Sequence, residues 1–417
     1  MFAFDGMRKN TIAMVLAGGK GERLSPLTLL RAKPDLPFGG KYKIIDFVLS
    51  NLFNSGLKKT YILTQYRAYN LNKHIWDSWS KWVGWEEFYV AISPETSSES
   101  EEWFRGTADA ILQCLRFVEN SEADYVAIFG GDHVYKMDVG QMMAAHRSNR
   151  ADLTIASLEI PVEEGRRFGV FSVDKDFRVT EFAEKPQQPE KIPGRDTCFA
   201  SMGNYIFSVP KLIEVLREGK KRHADLDFGK HVIPMMLAQG DKVLAYNFND
   251  NLIPGMKAKE RGYWRDVGTI DSYYEANMDL VQVSPQLNLY NYQWPILTNQ
   301  GNFPPAKTVF DDEERRGMNI DSYVCGGCIT SGGVVRRSIL GPRCKINSHS
   351  LVENSILFDN VTVGRNARIK KAIIDADTVI PAEEEIGYDL DADRQKGYTV
   401  TESGIVVVSG GSKTANS

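Results

Sequence analysis

The sequence predicts an α/β chain in two parts: a Rossmann-like, mostly parallel sheet covered by helices, then a left-handed parallel β-helix. Two observations carry this. Over the first two-thirds, short apolar runs alternate with longer stretches of helical spacing. Beyond Val334, one apolar residue recurs mostly every six positions.

Taken in order, residues 12–16 form the first apolar run and stop at Gly18 and Gly19. Residues 60–63 stop at Thr64 and Gln65; residues 125–129 run into Gly130, Gly131 and Asp132; residues 153–158 are a fourth run. Short continuous runs fit strands buried on both faces, and residues 109–119 fit a helix between them. In such sheets ligands bind beyond the carboxyl ends of the strands. Gly18, Gly19, Gln65 and Asp132 are therefore expected to share one cleft. Residues 72–89 carry Trp76, Trp79, Trp82 and Trp85 at helix-compatible spacing, read as core or subunit-contact packing.

The repeat runs through Val334, Leu340, Ile346, Val352, Leu357, Val363, Ile369, Ile374, Ile380 and Ile386, with Gly341, Gly364 and Gly387 beside it. No single turn of this kind buries its apolar residue, so stacking must supply the core. His349, the only histidine there, reads as a solvated surface side chain rather than a catalytic one. The proline-rich segment 285–316 reads as a linker and docking segment. The expected division is thus 1–284, 285–316 and 317–417, with a frayed tail over 409–417.

Composition narrows the function. The chain has 417 residues, 42% hydrophobic, with a formal net charge of -4. That balance lacks the basic footprint of a nucleic-acid binder. No signal peptide and no bilayer-length apolar run is present, so a cytoplasmic protein without membrane contact is expected. Five scattered cysteines suit a reducing compartment. Cys325 and Cys328 have zinc-ligand spacing but no second pair, and read as packing.

The first apolar run empties into Leu16, Ala17, Gly18, Gly19, Lys20, Gly21, Glu22, Arg23. Three glycines let backbone N–H groups approach phosphates closely, and Lys20 and Arg23 add positive charge. The spacing differs from both the dinucleotide fingerprint and the P-loop. Four further stretches accompany this loop: Arg31-Ala32-Lys33-Pro34 with residues 37–47, residues 103–110, Gly131-Asp132-His133, and residues 263–269. Together they resemble the sugar nucleotidyltransferase family over essentially the whole chain, and within it a bacterial branch that makes ADP-glucose.

The resemblance implies transfer of AMP from ATP to α-D-glucose 1-phosphate, releasing pyrophosphate, for glycogen or α-glucan synthesis. It also implies a homotetramer, regulated by small anionic effectors. Such chemistry brings two anions together in line, so positioning and charge neutralisation dominate. Asp132 and Asp266 suit a hard Mg²⁺ ion, a role the resemblance also assigns them. It places Arg23, Lys33 and Asp132 at the reaction centre. It places Leu16, Ala17, Gly18, Gly19, Lys20, Gly21, Gln65, Gly106 and Thr107 around the nucleotide. Glu184, Lys185, Ser201, Gly203, Tyr205, Asp227 and Phe228 fall around glucose-1-phosphate. Arg105 is left between a phosphate contact and a structural pair.

Lys33 precedes Pro34 and is expected in extended backbone. Asp35 departs from the family pattern, and is expected either to pair with Lys33 or to point outward. Arg31 and Lys43 are retained cations of a possible regulatory site. Leu30 and Ala376 stand where the enterobacterial enzyme type has basic residues. A doubly phosphorylated sugar is accordingly expected to activate poorly.

Overall fold

The computed structural model describes residues 10–84, 87–94, 96–97, 100–101, 103–299, 301–312 and 315–410. Trp85 and most of the expected frayed tail lie outside them.

The first part is built on a nine-stranded sheet. Its strands are β1 (Thr11–Ala17), β2 (Lys59–Thr64), β3 (Phe88–Ile92), β4 (Tyr125–Gly130), β5 (Leu153–Pro161), β6 (Gly169–Val173), β7 (Val179–Glu184), β8 (Thr197–Ser208) and β9 (Val243–Asn247). The order is β7-β6-β8-β4-β1-β2-β3, with β5 pairing β8 and β9. Pairing is parallel from β4 through β1 and β2 to β3, and between β5 and β9. It is antiparallel around β8 and between β6 and β7. All four expected strands are present, each a residue or more longer than its apolar run.

The near-continuous apolar runs have their physical reason in the two cores. One face of the sheet packs Val15, Ile62, Phe129 and Ile206 against α1 (Ile44–Asn54), α2 (Ala68–Trp79) and α5 (Val139–Ser148). The other packs Met14, Leu63, Ile128 and Phe207 against α3 (Thr107–Gln113) and α6 (Val209–Arg222). The helix expected over 109–119 is in fact two, α3 and α4 (Leu115–Glu119), broken at Cys114. Of the tryptophans, Trp79 is wholly buried and donates to Asp46, whereas Trp76 is 72% exposed.

The second part is a three-sided parallel coil. At the first expected position of the repeat the inward-facing residue is Val335, fully buried, and not the half-buried Val334. In register, Val335 stacks on Val352, Val352 on Ile369 and Ile369 on Ile386. One circuit therefore takes 17 residues, two steps of six and one of five, which is why the spacing is not strictly six. The corners are left-handed, and the φ > 0 positions recur at the same interval: Arg337, Asn354 and Lys371; Arg343, Asn360 and Asp377; His349, Asn366 and Glu383. His349 is thus an exposed corner residue. Cys328 and Cys344 lie buried inside the coil, their thiols donating to the carbonyls of Gly341 and Phe358.

The segment expected as a linker carries the coil's first strand, Lys307–Val309, paired with Ile329–Ser331. The two parts share an apolar core. Phe38, Phe47, Tyr273 and Leu280 pack with Ile339, Ile356, Phe358, Ile373 and Val407. Full burial of such a side chain is worth about 1.5–3 kcal/mol, so the coil is fused to the sheet domain, not tethered to it.

Candidate active site

The carboxyl ends of β1, β2 and β4 open into a cleft of about 540 Å³. Gly18, Gly19, Gln65 and Asp132 all line it, as strand polarity requires. Gly131 N–H donates to Leu16 carbonyl at 2.9 Å, closing the turn after β4 onto β1.

A two-stranded ribbon assembles the centre. Val134–Tyr135 pairs antiparallel with Trp264–Arg265. Asp132 lies just before one strand and Asp266 just after the other, so pairing brings them together. Lys33 Nζ bridges them, 3.0 Å from Asp132 Oδ2, 3.1 Å from Asp266 Oδ1 and 2.7 Å from the Asp266 carbonyl. Burial opposes charge on Lys33, but the two carboxylates outweigh it and raise its pKa. Burial likewise opposes charge on both carboxylates. Lys33, then His133, prevail and hold Asp132 and Asp266 below the ordinary range.

Lys33 is not in extended backbone. It opens a 3₁₀ turn over Lys33–Asp35, closed by Asp35 N–H to Ala32 carbonyl and Leu36 N–H to Lys33 carbonyl. Those bonds override the local preference before proline, and Ala32 takes the extended conformation instead. Asp35 neither pairs with Lys33 nor points outward. It is 2% exposed, with Lys43 Nζ at 3.3 Å in an ion pair that makes no directional hydrogen bond.

The glycine loop divides. Leu16, Gly18, Gly19 and Arg23 line the cleft, whereas Ala17 is buried in the sheet and Lys20 stands exposed, 3.9 Å from Glu22. Gly21 has φ 66, and a Cβ there would meet Lys33 Cβ at 2.9 Å, so it positions Lys33 from behind. Gln65 is clamped to one backbone unit: its carbonyl accepts Phe104 N–H at 2.7 Å and its amide donates to Phe104 carbonyl at 3.4 Å. Arg105 is exposed on the cleft wall, its own N–H held by Asp109 at 3.0 Å.

Across the cleft stand Glu184, Lys185, Ser201, Gly203, Tyr205 and Asp227. Lys185 has φ 48, a conformation a non-glycine residue keeps only when its surroundings impose it. Its N–H donates to Phe168 carbonyl at 3.0 Å, and its Nζ lies 3.3 Å from Glu184. Phe228 does not line the cleft. It is 1% exposed and supports Tyr205 from beneath, ring centroids 5.2 Å apart. Of the residues expected at a regulatory site, Arg31 sits where the coil meets the sheet domain, bonded to Asp375 at 2.8 Å.

Three residues at the centre went unassigned by sequence reasoning. His133 Nε2 lies 3.5 Å from Asp132 and 3.8 Å from Asp266, and burial keeps its pKa below the ordinary value. Trp264 packs on the His133 ring at 4.8 Å. Arg167 Nη2 reaches to 3.4 Å from Asp266 Oδ2. His133 and Trp264 stand within quoted motifs; Arg167 sits in a run of ordinary charged residues and gives no signal.

Comparison with known proteins decides the family. Residues 12–283 match the nucleotidyl transferase family, and residues 304–408 the GlmU-like C-terminal hexapeptide family. A Geobacter metallireducens protein named glucose-1-phosphate adenylyltransferase is 75% identical, covering 98% of this chain and 99% of its own. Its namesake from Trichlorobacter lovleyi is 76% identical over 98% and 99%. That from Thermus thermophilus is 50% identical over 96% and 98%.

The chain belongs to the glucose-1-phosphate adenylyltransferases. The nucleotidyl transferase match ends within three residues of Leu280, where the last helix of the sheet domain, Ile270–Leu280, closes. The hexapeptide match begins just before the first coil strand. Among the described residues no helix is long and apolar enough to cross a membrane.

Proposed function

We propose that this cleft transfers AMP from ATP to α-D-glucose 1-phosphate, giving ADP-glucose and pyrophosphate. The observation carrying this is the Lys33–Asp132–Asp266 centre between a glycine-loop wall and a wall bearing Glu184, Lys185 and Asp227. On the nucleotide side, Gly18 and Gly19 offer close backbone approach, while Gln65 presents an amide immobilised by Phe104. On the sugar side, Lys185 faces the substrate phosphate, and Glu184 and Asp227 accept sugar hydroxyls. Arg23 and Lys33 offset charge gathering at the α-phosphate, so the sugar phosphate attacks in line with the departing pyrophosphate.

Asp132, His133 and Asp266 bring ligand atoms within 4.8 Å of one another. Two carboxylates kept ionised at the mouth of a phosphate cleft fit Mg²⁺, with Asp132 and Asp266 as the protein ligands. Bound there, the ion would neutralise phosphate charge at the centre. A cytoplasmic homotetramer completes the reading.

The test is pyrophosphate release with glucose-1-phosphate and each of ATP, UTP and dTTP. Strong preference for ATP is expected. Equal or better use of UTP or dTTP overturns the nucleotide assignment, and no turnover with any of them overturns the enzymatic one.

A further inference from the structure

Thr107, expected beside the nucleotide, heads α3, yet its hydroxyl is committed to residues assigned to the sugar. It donates to Asp227 Oδ2 at 2.9 Å and accepts Phe228 N–H at 3.1 Å. Asp227 is held at its other oxygen too, where Oδ1 accepts from Gly229 N–H at 3.0 Å and Lys230 N–H at 3.1 Å. With both oxygens bonded, the carboxylate has one orientation. Phe228, bonded through its N–H, in turn supports the Tyr205 ring. One hydroxyl therefore fixes two features of the sugar wall.

We infer that Thr107 is a positioning residue for glucose-1-phosphate, acting through Asp227 and Phe228, rather than a nucleotide ligand. The inference rests on the assignment of Asp227 to the sugar. Without the hydroxyl, Asp227 loses a fixed partner and Phe228 N–H loses its acceptor. The backbones stay joined, because Ala108 and Asp109 N–H both donate to Leu226 carbonyl, at 3.1 and 2.8 Å. Gly106 permits that approach: a Cβ there would sit 2.3 Å from the same oxygen. A Thr107→Val protein, nearly isosteric, should thus keep its fold and lose only the aim of the sugar wall.

The experiment is steady-state kinetics of Thr107→Val, Thr107→Ser and Asp227→Asn, each with a thermal melt. For Thr107→Val the KM for glucose-1-phosphate is expected to rise about tenfold, with the KM for ATP within about twofold and the melt lowered by no more than about a few degrees for the lost Phe228 bond. Thr107→Ser keeps the hydroxyl and should restore wild-type values. Parallel rises in both KM values with a melt lowered further than that would make Thr107 a structural seam and overturn the inference. A rise in the ATP KM alone would return Thr107 to the nucleotide and overturn it as well. If Asp227→Asn raises the sugar KM while Thr107→Val does not, this inference alone fails. If neither does, the assignment of Asp227 to the sugar fails with it. Should Thr107→Val not fold, calorimetric affinities of Thr107→Ser and Thr107→Ala for glucose-1-phosphate decide. Equal affinities overturn the inference; weaker binding by Thr107→Ala alone supports it.

Discussion

Lys33 reaches the centre from a 3₁₀ turn, backed by Gly21, and meets two carboxylates contributed by segments far apart in the chain. Its buried ammonium persists only because both are ionised. In the proposed reading Asp132 would act at the reacting phosphate by holding Mg²⁺ beside it. Asp132→Asn keeps the shape and removes the anion, so turnover should fall on the order of a hundredfold or more. Near-normal kcat in the folded, purified variant would sink the assignment. Residues at strand ends in distinctive motifs, such as Asp132 and Gln65, were legible because strand polarity alone places them in a common cleft. Asp35 was not: its fate depends on Lys43, and neither neighbour spacing nor motif reports a pairing made by the fold. Arg167 was illegible for the same reason.

Among elements, the coil was legible as a repeat because its apolar residues have no other reason to recur. Its phase at Val334 was not, since Val334 and Val335 are chemically identical and only the inward-facing pleat distinguishes them. The coil also supplies a partner for Arg31. That cation is bonded to Asp375 and lies over the Phe358 ring at 5.8 Å, clamping coil to sheet domain. Both partners are nearly enclosed, with side chains 14% and 6% exposed. Breaking such a pair from one side costs about 3 kcal/mol, because the other charge stays buried. Asp375→Asn should therefore lower stability by that order in denaturant unfolding, and unchanged stability would show the pair to be idle. The clamp bears on regulation too. Fructose-1,6-bisphosphate would find Arg31 and Lys43 already paired and Leu30 and Ala376 uncharged. Titration of the wild type with micromolar bisphosphate is expected to give little activation.

For the molecule as a whole, pH couples to stability through a group remote from the cleft. His146, on α5, is 1% exposed beneath the sheet. Its Nδ1 lies 2.8 Å from Thr154 Oγ1 and its Nε2 3.3 Å from Ser208 Oγ. Ser208 donates its own hydrogen to Ala151 carbonyl, so Nε2 carries the ring proton and Nδ1 accepts from Thr154. Burial, only partly offset by Asp152, pushes the His146 pKa from 6.5 down to about 4. The unfolded chain therefore binds this proton more readily than the folded one. The stability due to neutral His146 is complete above pH 6.5 and is lost progressively as pH falls toward 4. Between pH 7 and pH 5 the loss amounts to about 2 kcal/mol from this group alone. His133 is depressed in the same direction, so the wild-type slope sums both. His146→Gln isolates one of them: glutamine does not titrate. Urea unfolding of both proteins at pH 7 and pH 5 should show a fall about 2 kcal/mol smaller in the variant. An identical fall in the two would mean that His146 keeps its proton equilibrium on folding. Acid sensitivity would then originate at other groups, and any share due to the cleft should be modulated by ATP and glucose-1-phosphate, as His146 should not be.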